Sequence, residues 1–240
     1  MSKPTISRSV FNTATPAERQ TETTNSNRRN FVKTLVGTGA LAAGVALPGG
    51  ALYAQANPGY ETLQTPMPTR DPSRVEVLEF FWFGCPHCYA FEPSINAWAD
   101  TKADYVDFVR EAPPLNPSWE AHSRAFYAAE ALQITEGFFD EMFNRIHKDR
   151  KPMRNPKNIG KFVESLDLGV DSNSFMKAMN SFAVKTALDR SMVRARQSGI
   201  NSVPSVIING KYRTGNSIAG SHEGIINAIN TLTEAEHKAS

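Results

Sequence analysis

Cysteine is nearly absent from this 240-residue chain: there are two, Cys85 and Cys88, with two residues between them. That scarcity argues against a disulfide framework, and one Cys-x-x-Cys without a second pair leaves structural zinc short of ligands. Net charge is also slight, at +2, and unevenly placed. Residues 1–56 hold six basic and two acidic side chains, so they carry +4 and the remainder about −2. Nucleic-acid binding thereby loses its main electrostatic support. Long hydrophobic runs are missing too. The stretch from Thr34 to Leu47 spans about 14 residues, too short for a bilayer. No internal repeat is present. What remains is an ordinary composition, 40% hydrophobic, with enough apolar surface for a sizeable core in one or two domains without disulfides.

The first 56 residues read as an address. A polar lead rich in Ser, Thr and Asn precedes "NRRNFVKTLVGTGALAAGVALPGGALYAQA". Arg28 and Arg29, with Phe31 two positions beyond the pair, resemble a bacterial twin-arginine signal; a general secretory signal with a long lead is the alternative. Ala54-Gln55-Ala56 offers a small-x-small cleavage site. Cleavage after Ala56 leaves an expected soluble, periplasmic protein in a compartment that permits disulfides.

Beyond the leader, residues 57–74 lack periodicity and form a lead-in with at most a short edge strand. "VEVLEFFWF" (75–83) is nearly continuous in apolar, aromatic and β-branched residues, which predicts a strand buried on both faces. The next segment carries Tyr89, Phe91, Ile95 and Trp98 at helical spacing, with Pro86 at the helix start and Pro93 expected to kink it. "YVDFVREAP" (105–113) predicts a second strand. Residues 116–198 read as helices, with Asn and Asp as N-caps and Gly199 as a C-terminal cap. Their Met and Phe stripe reads as core, and "HKDRK" (147–151) as a solvated turn. "VPSVIING" and "KYRTG" predict a hairpin about Asn209-Gly210, and a final amphipathic helix closes the chain. The class is α/β.

Three readings compete for the cysteine pair. As a staple it closes only four residues, which the chain-entropy relation values at about 2 kcal/mol against about 3 for a 15-residue loop. As a metal site it has no second knuckle, and His87 inside the motif is poorly placed to share an ion with both sulfurs. His122, His147, His222 and His237 lack ligand spacing and read as surface or core. As a redox pair it fits its position. A strand running into Cys-x-x-Cys at a helix start sets the first sulfur over the positive end of the helix dipole, where a thiolate is favoured. His87 supports the same anion. A thiolate so stabilised is a good leaving group, which is the logic of an oxidant. Cys85 is then the exposed reacting sulfur and Cys88 the buried resolving one. Glu79, the only charge between Leu78 and Cys85, shares a strand face with Val77 and Phe81. Buried beneath the sulfurs, it could relay the proton of Cys88.

"VLEFFWFGCPHCYAFEP", taken with "VPSVIINGKY" some 115 residues later, resembles the DsbA family of periplasmic thiol:disulfide oxidoreductases. The resemblance covers residues 60–235 and implies a thioredoxin fold with an inserted helical domain. The parts fall at 57–115 and 189–240 for the thioredoxin-like halves and 116–188 for the insertion. It further implies a cis peptide before Pro204 facing Cys85, a substrate-binding backbone at Val203, and a buried acid at Glu79. Arg110 stands where some members have Lys, and its pairing with Glu79 is left open. The implied catalytic set is Cys85, Pro86, His87 and Cys88; no cofactor and no metal are expected, and the chain is expected to be a monomer, although sequence leaves dimerisation open. Its implied partners are reduced, unfolded secreted proteins and a DsbB-like membrane quinone-linked oxidase. A disulfide isomerase or a reductase of the same superfamily is the alternative, although the lead-in is too short for an isomerase's dimerisation domain. A non-catalytic chaperone module is a third possibility.

Overall fold

The computed structural model describes residues 58–239. The leader, with Arg28, Arg29 and the cleavage site after Ala56, lies outside the described residues. Five strands form one mixed sheet: β1 (Glu61–Thr62), β2 (Val75–Phe80), β3 (Val106–Glu111), β4 (Ser205–Ile208) and β5 (Tyr212–Gly215). They lie in the order β1-β5-β4-β2-β3. Of the neighbouring pairs only β2–β3 runs parallel, its strands joined by the crossover helix α1 (Pro86–Thr101). β4 is antiparallel to both β2 and β5, and β1 forms the short edge. The β4–β5 turn is made by Asn209 and Gly210, both at positive φ, as the Asn-Gly pair predicts.

All six residues of β2 are buried. Val75 and Val77 pack toward α1 and the C-terminal helix α8 (His222–Ala239), meeting Phe91, Ile95, Ile225 and Ile229. Leu78 and Phe80 point to the opposite face, where they meet Val109, Ile207, Ala195 and Ile200. The strand stops at Phe80, three residues short of the predicted end. Phe81 and Phe83 are equally buried, but in the core of the helical block, so apolar character outruns strand pairing.

That block lies between β3 and β4. It comprises α2 (Glu120–Ala131), α3 (Thr135–His147), α4 (Pro156–Ser165), α5 (Ser172–Met179) and the first half of α6 (Phe182–Gln197). A 3-10 turn at Pro117–Trp119, capped by Asn116, precedes α2. Asn155 and Asp171 cap α4 and α5 as expected, and Ser181 caps α6. The Phe and Met stripe of α3 is core: Phe138, Phe139, Met142 and Phe143 are all buried. A boundary at 188/189 falls inside α6, whose Val184 and Leu188 join the helical core while Ala195 packs beneath the sheet. The helix α1 continues through Pro93, and a one-turn helix, α7 (Asn216–Ala219), precedes α8.

Candidate active site

The sequence directs Cys85 into a particular role at the start of α1. Its backbone is extended (φ −85°, ψ 116°), and its sulfur accepts the backbone N–H of Cys88 at 3.3 Å. A serine or aspartate oxygen usually makes this N-cap bond; here a sulfur takes it, so the helix end favours negative charge on that atom. Pro86 follows at the first helical position, where a missing N–H costs nothing. Upstream, the Cys85 N–H donates to the Trp82 carbonyl at 2.9 Å. The tight turn needs Gly84: a Cβ there would lie 2.3–2.7 Å from the Trp82 indole. Trp82 stacks flat on Trp119, ring centres 4.5 Å apart, and its other neighbour is His122 at 5.8 Å.

The two thiols are unbridged and sit in different surroundings. Cys85 is 7% exposed, whereas Cys88 is wholly buried. The Cys85 pKa is lowered to about 6, first by a hydrogen bond from the Cys88 thiol. Burial opposes this, while the N–H groups of Cys88 and His87 and then the His87 charge add to it. The Cys88 pKa is pushed well up, chiefly by burial, then by its bond to Cys85 and the Cys85 charge, with Glu79 contributing. Proton and charge are thus divided unequally between two sulfurs one helical turn apart. Alkylation of Cys85 by iodoacetamide should therefore rise with pH about a midpoint near 6. Removing a donor to the thiolate raises that midpoint, and the Cys88 donor ranks above the His87 charge. Cys88→Ala should shift it upward further than His87→Leu, and the reverse order would refute this ranking.

Across from the sulfurs, the Val203–Pro204 peptide is cis, as the resemblance implies, and Pro204 is buried. The Cys85 thiol lies 3.5 Å from the Val203 carbonyl, to which it donates. His87 is exposed beside the pair.

Glu79 lies in β2 opposite Arg110 of β3, fully buried on the α1 side. The pairing left open by sequence is formed: Arg110 Nε donates to Glu79 Oε2 at 2.9 Å. The same guanidinium donates through Nη2 to Glu92 Oε2 at 3.1 Å and to Asn96 Oδ1 at 2.7 Å. Phe108 and Phe139 sandwich it, their ring centres 4.8 and 4.5 Å from its carbon. One cation therefore serves two buried carboxylates. Burial raises the Glu79 pKa against the pull of Arg110. Burial and the Glu79 charge together push Glu92 up to about 8. Each acid keeps one buried oxygen, Oε1, without a partner, a place for a proton.

Sequence reasoning passed over Glu92 and Asn96. Positions 88, 92 and 96 are four apart, which puts all three on the Cys88 face of α1 and would have exposed the cluster. His147, read from sequence as surface or core at the start of a solvated turn, instead ends α3, with its Nε2 2.8 Å from the Phe83 carbonyl and its ring stacked on Tyr89 at 4.6 Å. His122 is buried and neutral, its pKa lowered to about 4 mainly by burial. Among the described residues, no group of three or more His, Cys, Asp or Glu is arranged to hold a metal.

The chain matches the DSBA-like thioredoxin domain over residues 76–222, more than half its length. It is 36% identical to the thiol:disulfide interchange protein DsbA of Burkholderia cepacia over 207 residues, covering 86% of this chain and 96% of the relative. To the protein of the same name from Azotobacter vinelandii it is 37% identical, over 75% of this chain and 83% of that one. The crystal structure of Pseudomonas aeruginosa DsbA superposes with a TM-score of 0.71 at 34% identity, covering 75% of this chain and 93% of that one. With a thioredoxin-type sheet, a helical insertion and a cysteine pair capping α1 opposite Val203–Pro204, the chain belongs to the DsbA family.

Proposed function

We propose that this protein is a periplasmic dithiol oxidase that donates a Cys85–Cys88 disulfide to reduced, unfolded exported proteins. The observation that carries this reading is the opposed tuning of the two thiols, Cys85 down to about 6 and Cys88 well up. A client thiolate attacks the Cys85 sulfur and the S–S bond breaks. Cys88 departs with the electron pair and takes a proton, leaving a client–Cys85 mixed disulfide. A second client thiolate then attacks the client sulfur, and Cys85 leaves as a thiolate. The low Cys85 pKa makes that departure easy and the resulting state stable. The client loses two electrons and two protons. One proton ends on Cys88 and the other passes to solvent.

Glu79 is the residue assigned to that proton transfer, since its charge is felt at Cys88 and it shares Arg110 with an acid poised near neutrality. Pro86 sets the first turn of α1, and His87 supports the anion. The Val203 carbonyl and Pro204 flank the sulfur where an extended client backbone would lie. Reoxidation is assigned to a membrane quinone-linked oxidase of the DsbB type, and delivery to the leader bearing Arg28 and Arg29.

The test is the Cys85–Cys88 thiol–disulfide equilibrium against a graded glutathione redox series. The expected result is a strongly oxidising couple whose disulfide is reduced even where most glutathione is oxidised. A reducing couple would overturn the oxidase reading in favour of a reductase.

A further inference from the structure

The segment 145–161 carries seven lysines and arginines against one acid, Asp149. Residues 57–240 together carry about −2, so the exported chain outside this segment carries about −8 against +6 within it. Four of the cations, Arg145, Lys151, Arg154 and Lys161, line one open cavity of ≈ 560 Å³ between the end of α3 and the start of α4. No acidic side chain lines it. The floor is apolar, with Met153 and Phe162 buried and the Arg145 guanidinium 5.4 Å from the Phe162 ring centre. Arg145 pairs with Asp149 at 2.8 Å; Lys151, Arg154 and Lys161 are exposed and join none of the ion pairs among the described residues.

Folding gives no reason for this gathering. Like charges left unpaired repel one another and bury nothing. Asn155 and Asn158 bring the N-terminus of α4 to the same cavity, adding to its positive potential. The segment is also tied to the redox loop at two points. His147 Nε2 meets the carbonyl of Phe83, two residues before Cys85. The Pro152 carbonyl meets His122 Nε2 at 3.1 Å, and His122 stacks on Trp82. An extended polypeptide advances about 3.3 Å per residue, so a few residues beyond a reacting cysteine span such a neighbouring loop.

We propose that this cavity binds acidic side chains of the client, so that Cys85 reacts preferentially with thiols that have Asp or Glu nearby in sequence. The inference rests on the oxidase reading and adds a substrate preference to it. A concave cationic rim over an apolar floor suits an acidic peptide segment with a neighbouring apolar side chain. A flat anionic lipid surface would instead be met by cations spread over a convex face.

The experiment compares oxidation of three reduced dithiol peptides, identical except for a flanking run of Glu, Gln or Lys. Wild-type protein should oxidise the Glu peptide about tenfold faster than the Gln peptide at low salt. The advantage should vanish near 1 M salt, where the screening length is about 3 Å. The triple variant K151E/R154E/K161E should reverse the preference toward the Lys peptide while oxidising the Gln peptide at the wild-type rate. A Cys→Ser version of the Glu peptide, followed by fluorescence anisotropy, reports docking without any redox step. Equal rates for the three peptides, or a Glu preference that survives in the triple variant, would overturn the proposal. Sedimentation with phosphatidylglycerol vesicles, without any peptide preference, would overturn it too and assign the face to the membrane. Docking of the Cys→Ser peptide with no oxidation of any dithiol would sink the oxidase reading and leave the acidic docking site standing.

Discussion

A Cys85→Ser protein should fold normally and oxidise no dithiol above the uncatalysed rate. Serine is a good probe because its hydroxyl can still accept the Cys88 N–H and cap α1, so the helix keeps its first turn. What disappears is the only sulfur that a client can attack. Cys88 has no exposure and a thiol pKa pushed well up, so it cannot take over. Reduced ribonuclease or a labelled dithiol peptide gives the readout, and full retained activity would remove the assignment. Cys88→Ser should behave differently. Its Cys85 thiolate can attack the disulfide of an oxidised client and release one client thiolate, and with the resolving sulfur gone that mixed disulfide should persist long enough to be seen on non-reducing gels.

Arg110→Ala should be the most destabilising single change near the site, costing about 3–5 kcal/mol at neutral pH, as expected when a buried ion pair loses one partner. Glu79 and Glu92 would be left facing each other with no cation between them, and the aromatic sandwich of Phe108 and Phe139 would be emptied. The sign of the pH dependence follows. Neutral carboxyls need no cation, and Glu92, pushed up to about 8, already holds its proton at neutral pH, so the deficit should shrink as pH falls and Glu79 takes one too. Adding Glu79→Gln to Arg110→Ala should recover part of the loss, because the unpaired charge is gone. Arg110→Lys should fall between, since one ammonium cannot reach Glu79, Glu92 and Asn96 in a planar fork. Urea melts of the four proteins at two pH values measure all of this. Equal stability of Arg110→Ala and wild type would contradict it.

Much of the site is local in sequence, and local features were legible. The step from a buried strand to Cys-Pro-His-Cys fixes a helix start, so the roles expected of Cys85 and Cys88 have a geometric basis before any long-range contact is known. The Asn209-Gly210 turn was legible for the same reason. Hydrophobicity misled where two cores meet: Phe81 and Phe83 are as buried as Phe80, yet they belong to the helical block. The lead-in also hid a contact. Met67 is buried, and its N–H donates to the Gly210 carbonyl 143 residues away at 2.9 Å, which no local pattern announces. The buried cluster of Arg194 with Glu76 and Glu111 was equally invisible, because its partners are 118 and 83 residues apart. Val203 and Pro204 came only from the family resemblance; a proline at a strand start says nothing alone about a sulfur 119 residues earlier.

The helix α6 carries a consequence for how the molecule comes apart. Its first turns hold the helical core through Val184 and Leu188, and its last turns hold the sheet through Ala195 and the Arg194 ion pairs. A rod that belongs to two cores has no seam at which one half can be released and the other kept. Heat or denaturant should therefore take the redox site and the insertion together in a single cooperative transition. A cavity cut deep in the insertion, far from either sulfur, would lower the melting point of the cysteine pair as well.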